Sequence, residues 1–68
     1  MMYVGERKII ATVYEDVEKT VTREMTFTFK TCDTTIDKCR KNLNNQVKKY
    51  ADNPYVAKVT PISEYFEN

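Results

Sequence analysis

Cys32 and Cys39 are the only side chains here that could act as thiolate nucleophiles or thiolate metal ligands, and no partner accompanies them. Histidine and tryptophan are absent and Ser63 is the only serine. That removes Ser–His and Cys–His pairs, an imidazole metal ligand and a histidine general base. Four-coordinate zinc needs more Cys or His than the chain contains. The spacing also opposes a disulfide. With a helix starting at residues 33–35, Cys39 lies about 6–9 Å up its axis, and disulfides seldom join Cα atoms more than about 7 Å apart. Cys39 is expected as a small core residue facing the sheet. Cys32 precedes the helix N-terminus, where a thiol can acidify, but no cation points clearly at it. Both thiols are expected to stay reduced, as in a cytoplasmic protein. No cofactor and no metal are expected.

Charged clusters offer two further chemistries. Glu15, Asp16 and Glu18 crowd one turn and could approach a hard cation through oxygen, yet the turn lacks the glycine and ligand count of a calcium loop. A solvated acidic turn, or a negatively charged contact for a basic partner, is the simpler expectation. Residues 34–51 carry a charge of +4 while the rest of the chain carries −3, so a formal net charge of +1 hides an internal dipole. Lys38, Lys41, Asn45, Lys48 and Lys49 point away from the apolar stripe of that segment. Ammonium groups displace phosphate counterions and amides can reach base edges, which makes this face a candidate nucleic-acid surface. The plain alternative is a solvated helix exterior, and no RNP1-like pattern, GXXG loop or helix-turn-helix pair accompanies it.

These side chains need elements to position them. From Thr20 to Thr31, Val21, Met25, Phe27 and Phe29 alternate with threonines, Glu24 and Lys30, the period of a strand with one wet face. Arg23 is the exception on the inner face. Arg7–Tyr14 alternates Ile9, Ala11 and Val13 against Ile10, Thr12 and Tyr14. Opposed residues of an antiparallel pair share a face, so paired numbers must sum to an even value. A three-residue loop, Asp16–Glu18, or a bulge to the same effect, satisfies this by pairing Val13 with Val21 and Ile9 with Met25, although it lacks the usual glycine. Ile36, Cys39, Leu43, Val47, Tyr50 and Ala51 form one helical stripe. Asp33 or Thr34 caps its start, and Pro54 ends it near Ala51 or Asp52. Tyr55–Ile62 alternates again with Tyr55, Ala57 and Val59 on one face, and Pro61 marks an edge strand or a strand end.

The expected fold is therefore α+β: one ββαβ domain over residues 1–68, its helix on one face of a three-stranded, mainly antiparallel sheet. Order 2-1-3 is preferred and 1-2-3 is the alternative. Its core is expected from Ile9, Ala11, Val13, Val21, Met25, Phe27, Ile36, Cys39, Leu43, Val47, Tyr50, Ala57 and Val59. The uncovered face would present Ile10, Thr12, Tyr14, Thr22, Glu24, Thr26 and Thr28, with Val56 and Ile62. A polar β-branched surface with a few apolar anchors suits packing against another protein.

Size favours association. At 68 residues with 41% apolar content, one small core must suffice, and such cores supply only about 3–5 kcal/mol. A homodimer is one remedy. No apolar run is long enough to span a membrane, and Met1–Gly5 is no basic leader. Residues with AT-rich codons number 28, against 9 for Gly, Ala, Arg and Pro together, which suggests a low-GC bacterium or its phage. In type, though in no specific motif, the chain is similar to small phage or prophage accessory proteins that bind and inhibit a host protein. The expectation is a non-enzymatic, protein-binding module, with nucleic-acid binding by the basic helix as the alternative.

Overall fold

The computed structural model describes residues 1–68, folded as β1 (Tyr3–Tyr14), β2 (Thr22–Asp33), α1 (Ile36–Ala51) and β3 (Val56–Glu67). β1 lies at the centre, antiparallel to both neighbours, in the order β2-β1-β3. The fold is thus α+β with the 2-1-3 order. The first and third strands run further than their apolar alternation, because Arg7 and Glu64 interrupt that pattern on the inner face. These two residues oppose each other across β1 and β3 and pair at 3.0 Å, so the ladder passes through them.

The hairpin register differs from expectation by two residues. Val13 pairs with Arg23 and Ile9 with Phe27, not with Val21 and Met25. The sum of paired numbers remains even, so every side chain keeps its expected face. The loop is longer because Asp16 organises it. Its Oδ1 accepts the backbone N–H groups of Thr20 (2.8 Å) and Val21 (3.0 Å), and Oδ2 accepts the Thr20 hydroxyl. Lys19 closes the turn at φ 60°, the left-handed position that glycine normally occupies. Val21 consequently falls in the loop and is 50% exposed.

β3 carries two register shifts against β1, between Lys8 and Ile9 and between Thr12 and Val13. The second leaves Ala57 without a partner and brings Val56 opposite Val13. Ala57 is therefore exposed and Val56 half-buried, the reverse of an uninterrupted alternation. Pro61 lies on an edge strand beside the first shift, where a missing N–H costs the ladder least.

Thr35, rather than Asp33 or Thr34, caps α1, its hydroxyl accepting the Lys38 N–H at 3.1 Å. Asp33 instead fastens β2 to the helix, accepting the Thr34 N–H (2.7 Å) and the Asn42 amide (2.9 Å). Cys39 and Leu43 are fully buried with Ile9 and Ala11. Val13, Met25, Phe27, Val47, Tyr50 and Val59 are half-buried around them, as are Phe29 and Phe66. Tyr50 covers both Phe27 and Phe29, with ring centroids at 5.1 and 6.0 Å. Ile36, at the first turn, remains 38% exposed and lies outside the core. The helix approaches β1 closely at Gly5, where a Cβ would stand 3.0 Å from the Phe66 ring and 3.3 Å from Cys39 Cβ.

Twelve-residue strands span about 40 Å, while a sixteen-residue helix spans about 24 Å. The helix covers the end of the sheet from Gly5 to Ala11, and the hairpin tip extends past it. The resulting body measures 48 × 17 × 11 Å, with a radius of gyration of 13.7 Å against about 11 Å for a compact chain of this length.

Candidate functional site

The face opposite α1 is built from the even-numbered residues of β1 and β2 and their β3 partners. Each rung crosses three strands: Thr26–Ile10–Thr60 at the middle, Thr28–Lys8–Ser63 and Lys30–Glu6–Tyr65 towards one end, Glu24–Thr12–Lys58 towards the other. No element of the chain lies over it. Of the seven residues expected to form this surface, Thr22, Glu24, Thr26 and Thr28 are exposed, while Ile10, Thr12 and Tyr14 on the central strand are half-buried. The structure places all seven on this one face. Tyr14 is less free than its position suggests, because the Lys19 ammonium lies 5.7 Å from its ring centroid and 5.9 Å from that of Tyr55. Val56, expected here, is on the helix side. Ile62, at a register shift, is 51% exposed.

Alternation within Arg7–Tyr14 omits the far half of this face. Val4, Glu6 and Lys8 continue the even-numbered row of β1, and Tyr65 and Glu67 extend it on β3. Lys8 already lies within that run, and extending the alternation of β1 back to Tyr3 and of β3 on to Glu67 would have found the others. With these included, Glu6, Glu24 and Glu67 stand against Lys8, Lys30 and Lys58, so the face is charge-balanced. Lys30 Nζ and Glu6 Oε1 are 3.8 Å apart.

The second candidate is the outer side of α1. Lys38, Lys41, Asn45, Lys48 and Lys49 are all exposed and share an arc of about 100° opposite Leu43. None of the four lysines has a carboxylate within 4.0 Å, unlike Arg40, which binds Glu64 (2.9 Å) and Asp37 (3.5 Å). Glu64 is therefore no free anion. Arg40, then Arg7, hold its carboxyl below the ordinary range by hydrogen bonding and charge. Arg7 reaches it from beneath the helix, with a side chain only 11% exposed and a further bond to Asn44.

The acidic turn is used internally. Thr20, then the Val21 N–H, lower the pKa of Asp16. No group of three Cys, Asp or Glu stands close enough to hold a metal ion, and the surface has no pocket. Cys32 is exposed on the open face and Cys39 buried on the other side of the sheet, both as free thiols. No helix is long and apolar enough to cross a membrane. No protein-family model, curated protein or solved structure matches the chain.

Proposed function

We propose that this chain is a non-enzymatic interaction module that binds and modulates another protein through its open sheet face, and that it works in the cytoplasm as a homodimer. The supporting observation is a face three strands wide that no part of the chain covers. Three acidic and three basic side chains frame the Thr26–Ile10–Thr60 rung, a pattern suited to a flat protein surface of mixed charge and unsuited to a polyanion. The small size and AT-rich composition fit a phage-type accessory protein that inhibits its target. Affinity capture from a low-GC bacterial lysate tests the reading. Thr12→Arg, which plants a cation on the central strand of the face, is expected to abolish capture that Lys48→Glu retains. Equal capture by both variants would refute it.

Nucleic-acid binding by α1 is the second reading, favoured by four helix lysines free of any acidic partner. Its signature is binding to random-sequence DNA that falls with salt at a slope of about −0.9 per neutralised duplex phosphate. Charge reversal at Lys41 and Lys48 would remove that binding. Absence of binding at low salt ends this reading.

A further inference from the structure

The two edges of the sheet are built differently. On β3, Pro61 and two register shifts break the outer row of hydrogen-bonding groups, devices that discourage strand pairing. β2 has neither. Its twelve residues contain no Pro or Gly and pair with β1 without a shift from Tyr14–Thr22 to Tyr3–Asp33. Long, regular and open, β2 is the edge available to another strand.

The hydrogen-bond phase says which groups it offers. Glu15 donates to the Val21 carbonyl at 2.9 Å in the same register, so the odd-numbered residues of β2 turn their N–H and C=O groups towards β1. Thr22, Glu24, Thr26, Thr28 and Lys30 turn theirs outward. Gln46 marks that direction by donating to the Lys30 carbonyl at 3.1 Å. The backbone groups of Glu24, Thr26 and Thr28 have no partner among the remaining bonds.

An antiparallel copy centred on Phe27 matches at every rung. Thr26 then opposes Thr28 and Glu24 opposes Lys30, twice each by symmetry, so all four rungs join outward-facing groups. On the helix side Phe27 meets Phe27 and Met25 meets Phe29, all half-buried in the single chain. A centre at Thr26 would instead set Arg23 against Phe29 and leave Glu24 and Lys30 without opposite charges. Lys30 is free to serve, since its side chain is 71% exposed and its Glu6 contact is long at 3.8 Å. The Lys30 carbonyl has a second lone pair for the incoming Glu24 N–H, so Gln46 need not leave. The lysines of α1 point away from the sheet and remain in solvent. The single chain exposes 4859 Å², against about 4450 Å² for a typical monomer of its mass.

We infer that a second copy of this chain docks antiparallel on the β2 edge, with the two-fold axis at Phe27, joining two three-stranded sheets into one of order 3-1-2-2-1-3. This rests on the reading of the chain as a homodimer and adds its surface and register. Both helices fall on one side, and the two open faces merge into one twice as wide.

Sedimentation and cross-linking test it. The wild-type chain is expected to sediment as a dimer at micromolar concentration. In a Cys32→Ser background, oxidising a mixture of Thr26→Cys and Thr28→Cys chains is expected to give a mixed disulfide, and neither variant is expected to cross-link to itself. Thr26→Pro removes an outward N–H without touching the β1 ladder, and should yield a monomer with unchanged far-UV circular dichroism. Glu24→Lys and Lys30→Glu should each weaken the dimer about tenfold or more, and the double exchange should restore it. A monomeric wild type overturns both the homodimer and this edge. A dimer lacking the mixed cross-link, or one in which the Thr26→Cys variant cross-links to itself, overturns the edge register and leaves the homodimer standing.

Discussion

Glu64 couples the helix to the sheet through charge rather than apolar contact. It accepts from Arg40 Nε at 2.9 Å and Arg7 at 3.0 Å, and Arg7 also bonds Asn44. Removing the carboxylate leaves the nearly covered Arg7 guanidinium without its counter-charge. Because Glu64 itself is about one-third exposed, solvent screening reduces the effect, and Glu64→Gln should cost about 1 kcal/mol at neutral pH. The sign of the pH dependence follows. The folded carboxyl titrates below its ordinary 4.5, so its contribution is complete above that value and is lost as pH falls through the depressed one. Thermal unfolding between neutral pH and pH 2 should therefore show a steeper acid decline for wild type than for Glu64→Gln. Parallel curves would mean that Glu64 is unpaired in solution. In sequence, Arg7 and Glu64 look like strand terminators, since a charge on an alternating inner face ordinarily ends a strand. Their mutual neutralisation, 57 residues apart, is not visible from either neighbourhood, and it is why alternation alone makes both strands too short.

At the scale of elements, the helix was legible because one stripe repeats over four turns and has physical stops at both ends. The β1–β2 pairing was legible in parity but not in register. Alternation fixes which face a residue occupies, and a shift of two residues leaves every face unchanged. What decides the register is the Asp16 side chain, which serves Thr20 and Val21 and so lengthens the loop. β3 departs from its alternation for a related reason. One unpaired residue, Ala57, inverts the pattern around it, and an alanine looks equally at home on either face. The open-face row of threonines, Ile10 and Tyr14 needed only parity, and so was legible. Leu43 and Ile36 share the helical stripe but differ in depth, one fully buried and the other 38% exposed. Leu43→Ala should cost about 2–5 kcal/mol, whereas Ile36→Ala should cost about 1 kcal/mol or less. Total stability for this length is about 3–10 kcal/mol, so denaturant unfolding will separate the two variants plainly. Equal losses would mean that the helix is rotated or shifted along the sheet.

For the whole molecule, the mismatch between helix and strand lengths divides stability along the long axis. Ile9, Ala11, Cys39 and Leu43 are the buried apolar residues, and all lie where α1 covers the sheet. Beyond them, Val21, Thr22, Arg23 and Glu24 are exposed, and Arg23 is fixed only by Glu15 at 3.1 Å and a longer contact to Met25 sulfur. Ladder hydrogen bonds are continuous over both regions, but burial is not, and burial sets the free energy of local opening. The tip should therefore open without global unfolding, held by the Asp16 bonds rather than by a core. Native-state hydrogen exchange can read this directly. The inward amides of Val13 and Arg23 should exchange through local opening, while those of Ile9 and Phe27 exchange only with global unfolding. Asp16→Ala removes the acceptor that holds Thr20 and Val21, so it should accelerate exchange at Val13 and Arg23 and leave Ile9 and Phe27 nearly unchanged. Uniform acceleration across all four amides would show instead that the overhanging hairpin and the covered end of the sheet unfold as one unit.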